Sequence, residues 1–195
     1  MSWSNLENQR LWIIGTIILL IMIVGQLIDI ELIRYQRNWI LTGEYWRLIS
    51  AHWTHVNWTH LGLNGAGLLL CLAITRPDWT LKRWCFYLTV ISFSISGLFT
   101  VLNPELGWYV GFSGVLFGIF CLSGIDLFNH DRLIAVLLLS VIFGKVLIEQ
   151  MSNLEVTSSE LISSPVIVDA HFYGLISALI IALVQRVYTF SKIRR

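Results

Sequence analysis

Residues 111–128 read GFSGVLFGIFCLSGIDLF, an apolar stretch with one charged residue, Asp126, near its end and a serine between glycines at its start. A helix running from Ser113 to near Phe128 has about 16 residues, or about 24 Å at its usual rise. The hydrocarbon core of a bilayer is about 30 Å thick, so the serine is expected below the outer membrane surface. Gly111 and Gly114 let the chain enter tightly after the turn-rich segment NPELGWYV at 103–110. The helix N-terminus supplies free N–H groups and positive dipole where negative charge could develop. Taken alone, GxSG also suits ordinary small-residue packing between helices.

The rest of the chain is as apolar as this stretch. Its 195 residues are 56% hydrophobic and 13% charged, with mean hydropathy +0.72. That leaves too little polar surface to cover a soluble globule. The expectation is an all-α polytopic membrane protein of six transmembrane helices, at roughly 11–30, 58–75, 84–102, 113–128, 133–150 and 169–189. One domain, 1–195, accounts for the chain without a soluble accessory module. The span after Arg10 reads as a retained helix, because it has no small-residue cleavage site. Cys71, Cys85 and Cys121 all fall inside spans, and an odd number of buried thiols implies no disulfide framework.

Charge placement sets the expected orientation. Basic residues lie at Arg10, at Arg76, Lys82 and Arg83, at Arg132, and in the tail at Arg186, Lys192, Arg194 and Arg195. Neither 84–131 nor 146–185 contains Lys or Arg. Both termini are therefore expected in the cytoplasm, with 103–112 and 151–167 outside. Arg34, Arg37 and Arg47 are exceptions, in a first outer loop where Ile30, Ile33, Tyr35, Trp39 and Ile40 alternate with charge as in an interfacial segment.

Two more strings carry chemistry. HWTHVNWTHLGLN at 52–64 and AHFYGLISA at 170–178 place His52, His55, His60, Asn64 and His171 in apolar surroundings, where such residues are costly and mark function by default. His171 opens the sixth span from the same side as Ser113. Gly114 with Gly118, and Gly174 with Ala178, are small-residue faces through which two helices can approach closely. The combination predicts a Ser113–His171 dyad, a nucleophile beside its base. Asp169, two residues from His171, is not on its face and is not expected to complete a triad.

His60 and Asn64, four apart, share one helix face. Both can donate hydrogen bonds, which suits an oxyanion hole together with the Ser113 N–H; the alternative is that Asn64 joins helices and His60 sits at the interface. His55, and with it His52, is expected to brace the first loop. Three histidines this close also invite a zinc reading, but no HExxH motif or nearby carboxylate accompanies them, and neither metal nor cofactor is expected. Lys145 and Glu149 read as a paired charge at the outer end of the fifth span, not as a catalytic group. The sequon Asn57-Trp58-Thr59 reads as coincidence.

Jointly, HxxxxHxxxN on the second span, GxSG opening the fourth and AHxxG opening the sixth resemble the rhomboid family of intramembrane serine proteases, across roughly residues 42 to 180. Trp46-Arg47 is similar to that family's WR pair. The resemblance implies Ser113 as nucleophile, His171 as general base and His60 and Asn64 as oxyanion donors. It places Phe117 where an aromatic ring stacks on the catalytic histidine, often a tyrosine in relatives. His52, which extends the motif to HxxHxxxxHxxxN, and the small six-helix form resemble the rhombosortase branch. Its substrates carry a C-terminal Gly-Gly motif, a hydrophobic helix and a basic tail. What this implies is a protein of the bacterial inner membrane, opening to the periplasm, whose partners are single-span substrates and the lipid bilayer, with no nucleic acid. A non-catalytic rhomboid-like protein that binds membrane clients is the alternative class. It would lack the dyad that this sequence retains.

Overall fold

A computed structural model describes residues 5–151 and 157–193 of the protein. The tail residues Arg194 and Arg195, and positions 152–156 of the segment expected outside, lie outside the described residues. Helix α1 (Asn5–Leu27) is followed by an irregular stretch made of α2 (Ile30–Ile33), strand β1 (Tyr35–Gln36), α3 (Arg37–Leu41), α4 (Arg47–Ser50) and a 3-10 turn at Ala51–Trp53. Then come α5 (Trp58–Ile74), α6 (Leu81–Leu102), strand β2 (Trp108–Tyr109), α7 (Ser113–Leu127), α8 (Arg132–Met151), α9 (Thr157–Ile162) and α10 (Asp169–Ile193).

A helix stands at each of the six segments expected to span. Four of them, α1, α6, α8 and α10, are long and apolar enough to cross a membrane, whereas α5 and α7 have only 17 and 15 residues. At about 1.5 Å per residue, α7 is about 22 Å long. The boundaries differ most in α1, which is already helical at Asn5 and stops at Leu27. It stops there because Asp29 takes the Glu31 N–H at 3.0 Å and caps the next turn instead.

Helix α7 is the centre of the bundle. Nine of its fifteen residues are buried, including Val115, Ile119 and Leu122. In contrast, α8 exposes Leu137, Val141, Leu147 and Ile148, an apolar face that hydrocarbon tolerates and water does not. Between α7 and α10 there is almost no side-chain layer. A Cβ on Gly118 would lie 2.9 Å from the Gly174 carbonyl oxygen, and one on Gly114 would lie 2.6 Å from that of Ala170. Backbone-to-backbone packing of this kind is how apolar helices gain contact energy when lipid removes the hydrophobic drive between them.

The chain ends of α1, α6 and α8 meet the starts of α5, α7 and α10 at one end of the bundle. There Asn103, just after α6, donates to Asp169 at 2.7 Å and accepts from the Tyr173 hydroxyl at 2.6 Å. Asp169 therefore serves as a helix tie. At the opposite end Asp126 accepts from Trp79 Nε1 at 2.9 Å and from Arg83 at 3.3 Å, joining α7 to α6.

Candidate active site

The loop between α1 and α5 is fastened before it reaches the site. Arg47 is buried and donates to the carbonyls of Glu31 and Arg34 at 2.8 and 2.9 Å and to the Glu44 carboxylate at 2.6 Å. Its guanidinium also lies over Trp39, 4.3 Å from the ring centre. With this anchor in place, β1 pairs antiparallel with β2, Tyr35 opposite Tyr109. The 3-10 turn is held in turn: the Ala51 carbonyl accepts the Gly111 N–H at 3.0 Å. The segment between α1 and α5 thus fixes the approach to Ser113.

Gly111 has φ +128°, a left-handed conformation in which a side chain is strained. A Cβ there would also press to 2.8 Å on the His60 ring. The turn delivers Ser113 as the first residue of α7. Across the close crossing, His171 Nε2 lies 3.0 Å from Ser113 Oγ. Phe117, one turn along α7, stacks on the imidazole at 4.3 Å between centroids and 15° between planes. The glycines hold the helices together, and that crossing sets the Ser113–His171 distance.

His60 and Asn64 line one cavity of about 200 Å³ with Ser113, Phe117, Lys145 and His171. A neighbouring cavity of about 240 Å³ shares His60 and Ser113 and continues past Tyr109 and Val110. One Asn64 amide hydrogen is given to the His60 carbonyl at 3.0 Å; the amide has a second donor. His60 Nδ1 is buried without a protein partner.

The neighbouring histidines divide. His52 is fully buried, with Nε2 3.0 Å from both the Ser92 carbonyl and Ser96 Oγ, so it ties the loop to α6. Burial lowers its pKa to about 4, with hydrogen bonds to backbone opposing. His55 is held through its backbone. Its backbone N–H donates to Gln26 at 3.1 Å, while both ring nitrogens lack protein partners and the ring meets His60 edge-on at 5.0 Å. Among the described residues no three His, Cys, Asp or Glu side chains are grouped to hold a metal. Asn57 of the sequon caps α5 by accepting the His60 N–H at 2.9 Å and donates to the Ile162 carbonyl at 2.7 Å, which docks α9 beside the cavity.

Two residues at the site escape the sequence reading. Tyr109, buried in β2, donates to the Gly111 carbonyl at 2.8 Å and lies against Ser113; burial pushes its phenol pKa up. The other is Glu149. The pairing with Lys145 is present at 2.5 Å, but the second carboxylate oxygen lies 2.8 Å from His171 Nδ1. Glu149 is therefore part of the histidine's surroundings and not only half of a surface ion pair. The signal for it was an acid and a base four residues apart in an apolar helix, a combination too costly in hydrocarbon to be idle.

A Rhomboid domain model matches residues 42–187 of the chain. The protein belongs to the rhomboid family, intramembrane serine proteases that act on membrane-protein substrates within the bilayer, and it is a multi-pass membrane protein. No curated protein matches the chain.

Proposed function

We propose that the protein is a serine endopeptidase that cleaves single-span membrane proteins near the outer membrane face, with Ser113 as nucleophile and His171 as general base. The observation that carries this reading is the 3.0 Å approach of Ser113 Oγ to His171 Nε2 at the start of two closely packed apolar helices. In the reaction Ser113 Oγ attacks the scissile carbonyl while His171 Nε2 takes its proton. The resulting oxyanion is met by the Ser113 N–H, His60 and Asn64. Collapse breaks the C–N bond, and His171 returns the proton to the leaving amine. Water then attacks the acyl-enzyme with His171 again as base, and the new C-terminal carboxylate leaves.

The arrangement proposed is one domain of six crossings, with α5 and α7 short, both termini cytoplasmic and the site open to the periplasm of a bacterial inner membrane. The distribution of basic residues supports it. The rhombosortase branch is proposed for the substrate, a C-terminal anchor carrying Gly-Gly. Its support is His52, buried in the HxxHxxxxHxxxN pattern, and a cavity of about 200 Å³ lined in part by Gly67. A stable helix hides its carbonyls, and glycine loosens it by about 1 kcal/mol per residue relative to alanine.

The test is co-expression with a single-span protein bearing such an anchor, followed by mass analysis of the new C-terminus. Cleavage beside Gly-Gly, absent with Ser113→Ala, is expected. Cleavage undiminished by Ser113→Ala overturns the protease reading. Persistence after Gly-Gly is changed to Leu-Leu overturns only the substrate assignment.

A further inference from the structure

The chain Lys145–Glu149–His171 is left unused by a mechanism of two residues. Glu149 sits in the last turns of an apolar helix with its side chain 5% exposed. Neutralising Lys145 would occupy one carboxylate oxygen, and Lys145, 46% exposed, could reach polar surroundings by itself. The other oxygen meets His171 at Nδ1, the ring edge opposite the one that faces Ser113.

A neutral imidazole carries one N–H, on either nitrogen. Only the Nδ1–H form turns a lone pair toward the serine; the Nε2–H form points a proton at the group it must deprotonate. Stacking on Phe117 fixes the plane of the ring but does not choose between these forms. An ionised carboxylate can only accept, so its partner nitrogen must be the protonated one. As Nε2 takes the serine proton, the imidazolium charge develops against that same carboxylate. The other charged groups around His171 do not supply this. His60 faces it across the cavity, and Asp169, in its own first turn, is held by Asn103 and Gln150.

We propose that Glu149 is a positioning residue of the site: its carboxylate accepts the His171 Nδ1–H, sets the tautomer that activates Ser113, and is itself held ionised in the apolar bundle by Lys145. This rests on the reading that Ser113 and His171 perform the chemistry.

The experiment uses the full chain in liposomes and reads fluorophosphonate labelling rate, kcat and KM for a cleavable substrate, and melting temperature. Ser113→Ala and His171→Ala, without labelling, establish the underlying pair. Glu149→Gln keeps the volume but can present an amide N–H to Nδ1. It is expected to lower labelling rate and kcat about 10- to 100-fold, the worth of one charge-assisted hydrogen bond, with KM unchanged. Glu149→Asp is expected to recover part of the loss. The double variant Lys145→Met with Glu149→Gln removes the ion pair without stranding a charge. It should fold as well as wild type and remain as slow as Glu149→Gln. Wild-type kcat in the double variant would show that Glu149 only neutralises Lys145, and would overturn the proposal. So would wild-type kcat in Glu149→Gln while Ser113→Ala is inactive. Labelling of Ser113→Ala at the wild-type rate would overturn the underlying reading, and the proposal with it.

Discussion

Replacing Gly174 by alanine separates the contribution of the helix crossing from that of the reacting side chains, because Gly174 carries no side chain and does not line the cavity at Ser113. Its new Cβ would collide with the Gly114 carbonyl oxygen, with the carbonyl carbon 2.9 Å and the Cα 3.5 Å away. Carbon atoms pack comfortably at about 3.5–4.0 Å, so the two backbones must part by on the order of 1 Å. Ser113 adjoins Gly114 and His171 lies one turn before Gly174, so both move with the backbone. A Ser113–His171 separation that grows from 3.0 Å by this amount leaves hydrogen-bond range. Misplacement of about 1 Å costs about 10²-fold in turnover. Stability should fall less sharply: overpacking costs about 1–3 kcal/mol, and the better helix propensity of alanine returns about 1. The control is Gly144→Ala, where a Cβ meets nothing within 4 Å and turnover should not change. The assay is kcat on a single-span substrate, with melting temperature measured in parallel. A Gly174→Ala protein with kcat near wild type would refute the idea that backbone contact sets the Ser113–His171 geometry.

Gly111→Ala should also lose turnover, since it combines a strained positive φ, at about 1–3 kcal/mol, with a Cβ 2.8 Å from the His60 ring; reduced activity with KM nearly constant is the expected outcome, and full activity would count against the turn. Asn64→Ala removes one of the proposed oxyanion donors and should lower kcat about 10²- to 10³-fold with little change in KM, whereas a rise in KM at normal kcat would assign Asn64 to substrate binding. The pH dependence of stability should show His52. Its folded pKa is about 4 against an ordinary 6.5, so the unfolded chain binds the proton first and stability falls as pH drops from about 6.5 toward 4, by up to about 1.4 kcal/mol per unit. Thermal inactivation midpoints of wild type and His52→Gln across that window check it; an unchanged slope in the variant would contradict the assignment.

What could be read in the sequence is what depends on periodicity. Gly114 with Gly118 and Gly174 with Ala178 recur at helical spacing, so the close face of each helix was visible before its partner. His60 and Asn64, four apart, were visible as one face, and in the structure they line one cavity. Pairings across long separations were not visible. Tyr35 meets Tyr109 and the Ala51 carbonyl meets the Gly111 N–H because Arg47 folds the intervening loop, and no local pattern encodes that register. For a related reason the sequence shows only half of the surroundings of Glu149. Its (i, i+4) pairing with Lys145 is a local rule, whereas its contact with His171 depends on how α8 lies against α10. His55 braces the loop through its backbone N–H, and no local pattern distinguishes that from a bond through the ring. The short α7 was legible from residue count alone, whereas the helical stretch of α1 before residue 11 was not, because Asn5, Asn8 and Gln9 are polar yet helical.

The central claim is that Ser113 is an activated nucleophile because His171 stands 3.0 Å from it. Its most direct test is to label the full chain in liposomes with a fluorophosphonate and map the adduct by peptide mass. The account predicts a single adduct on Ser113 that disappears in His171→Ala while the helices and melting behaviour persist. An adduct on another residue, or labelling of Ser113 undiminished without His171, would contradict it.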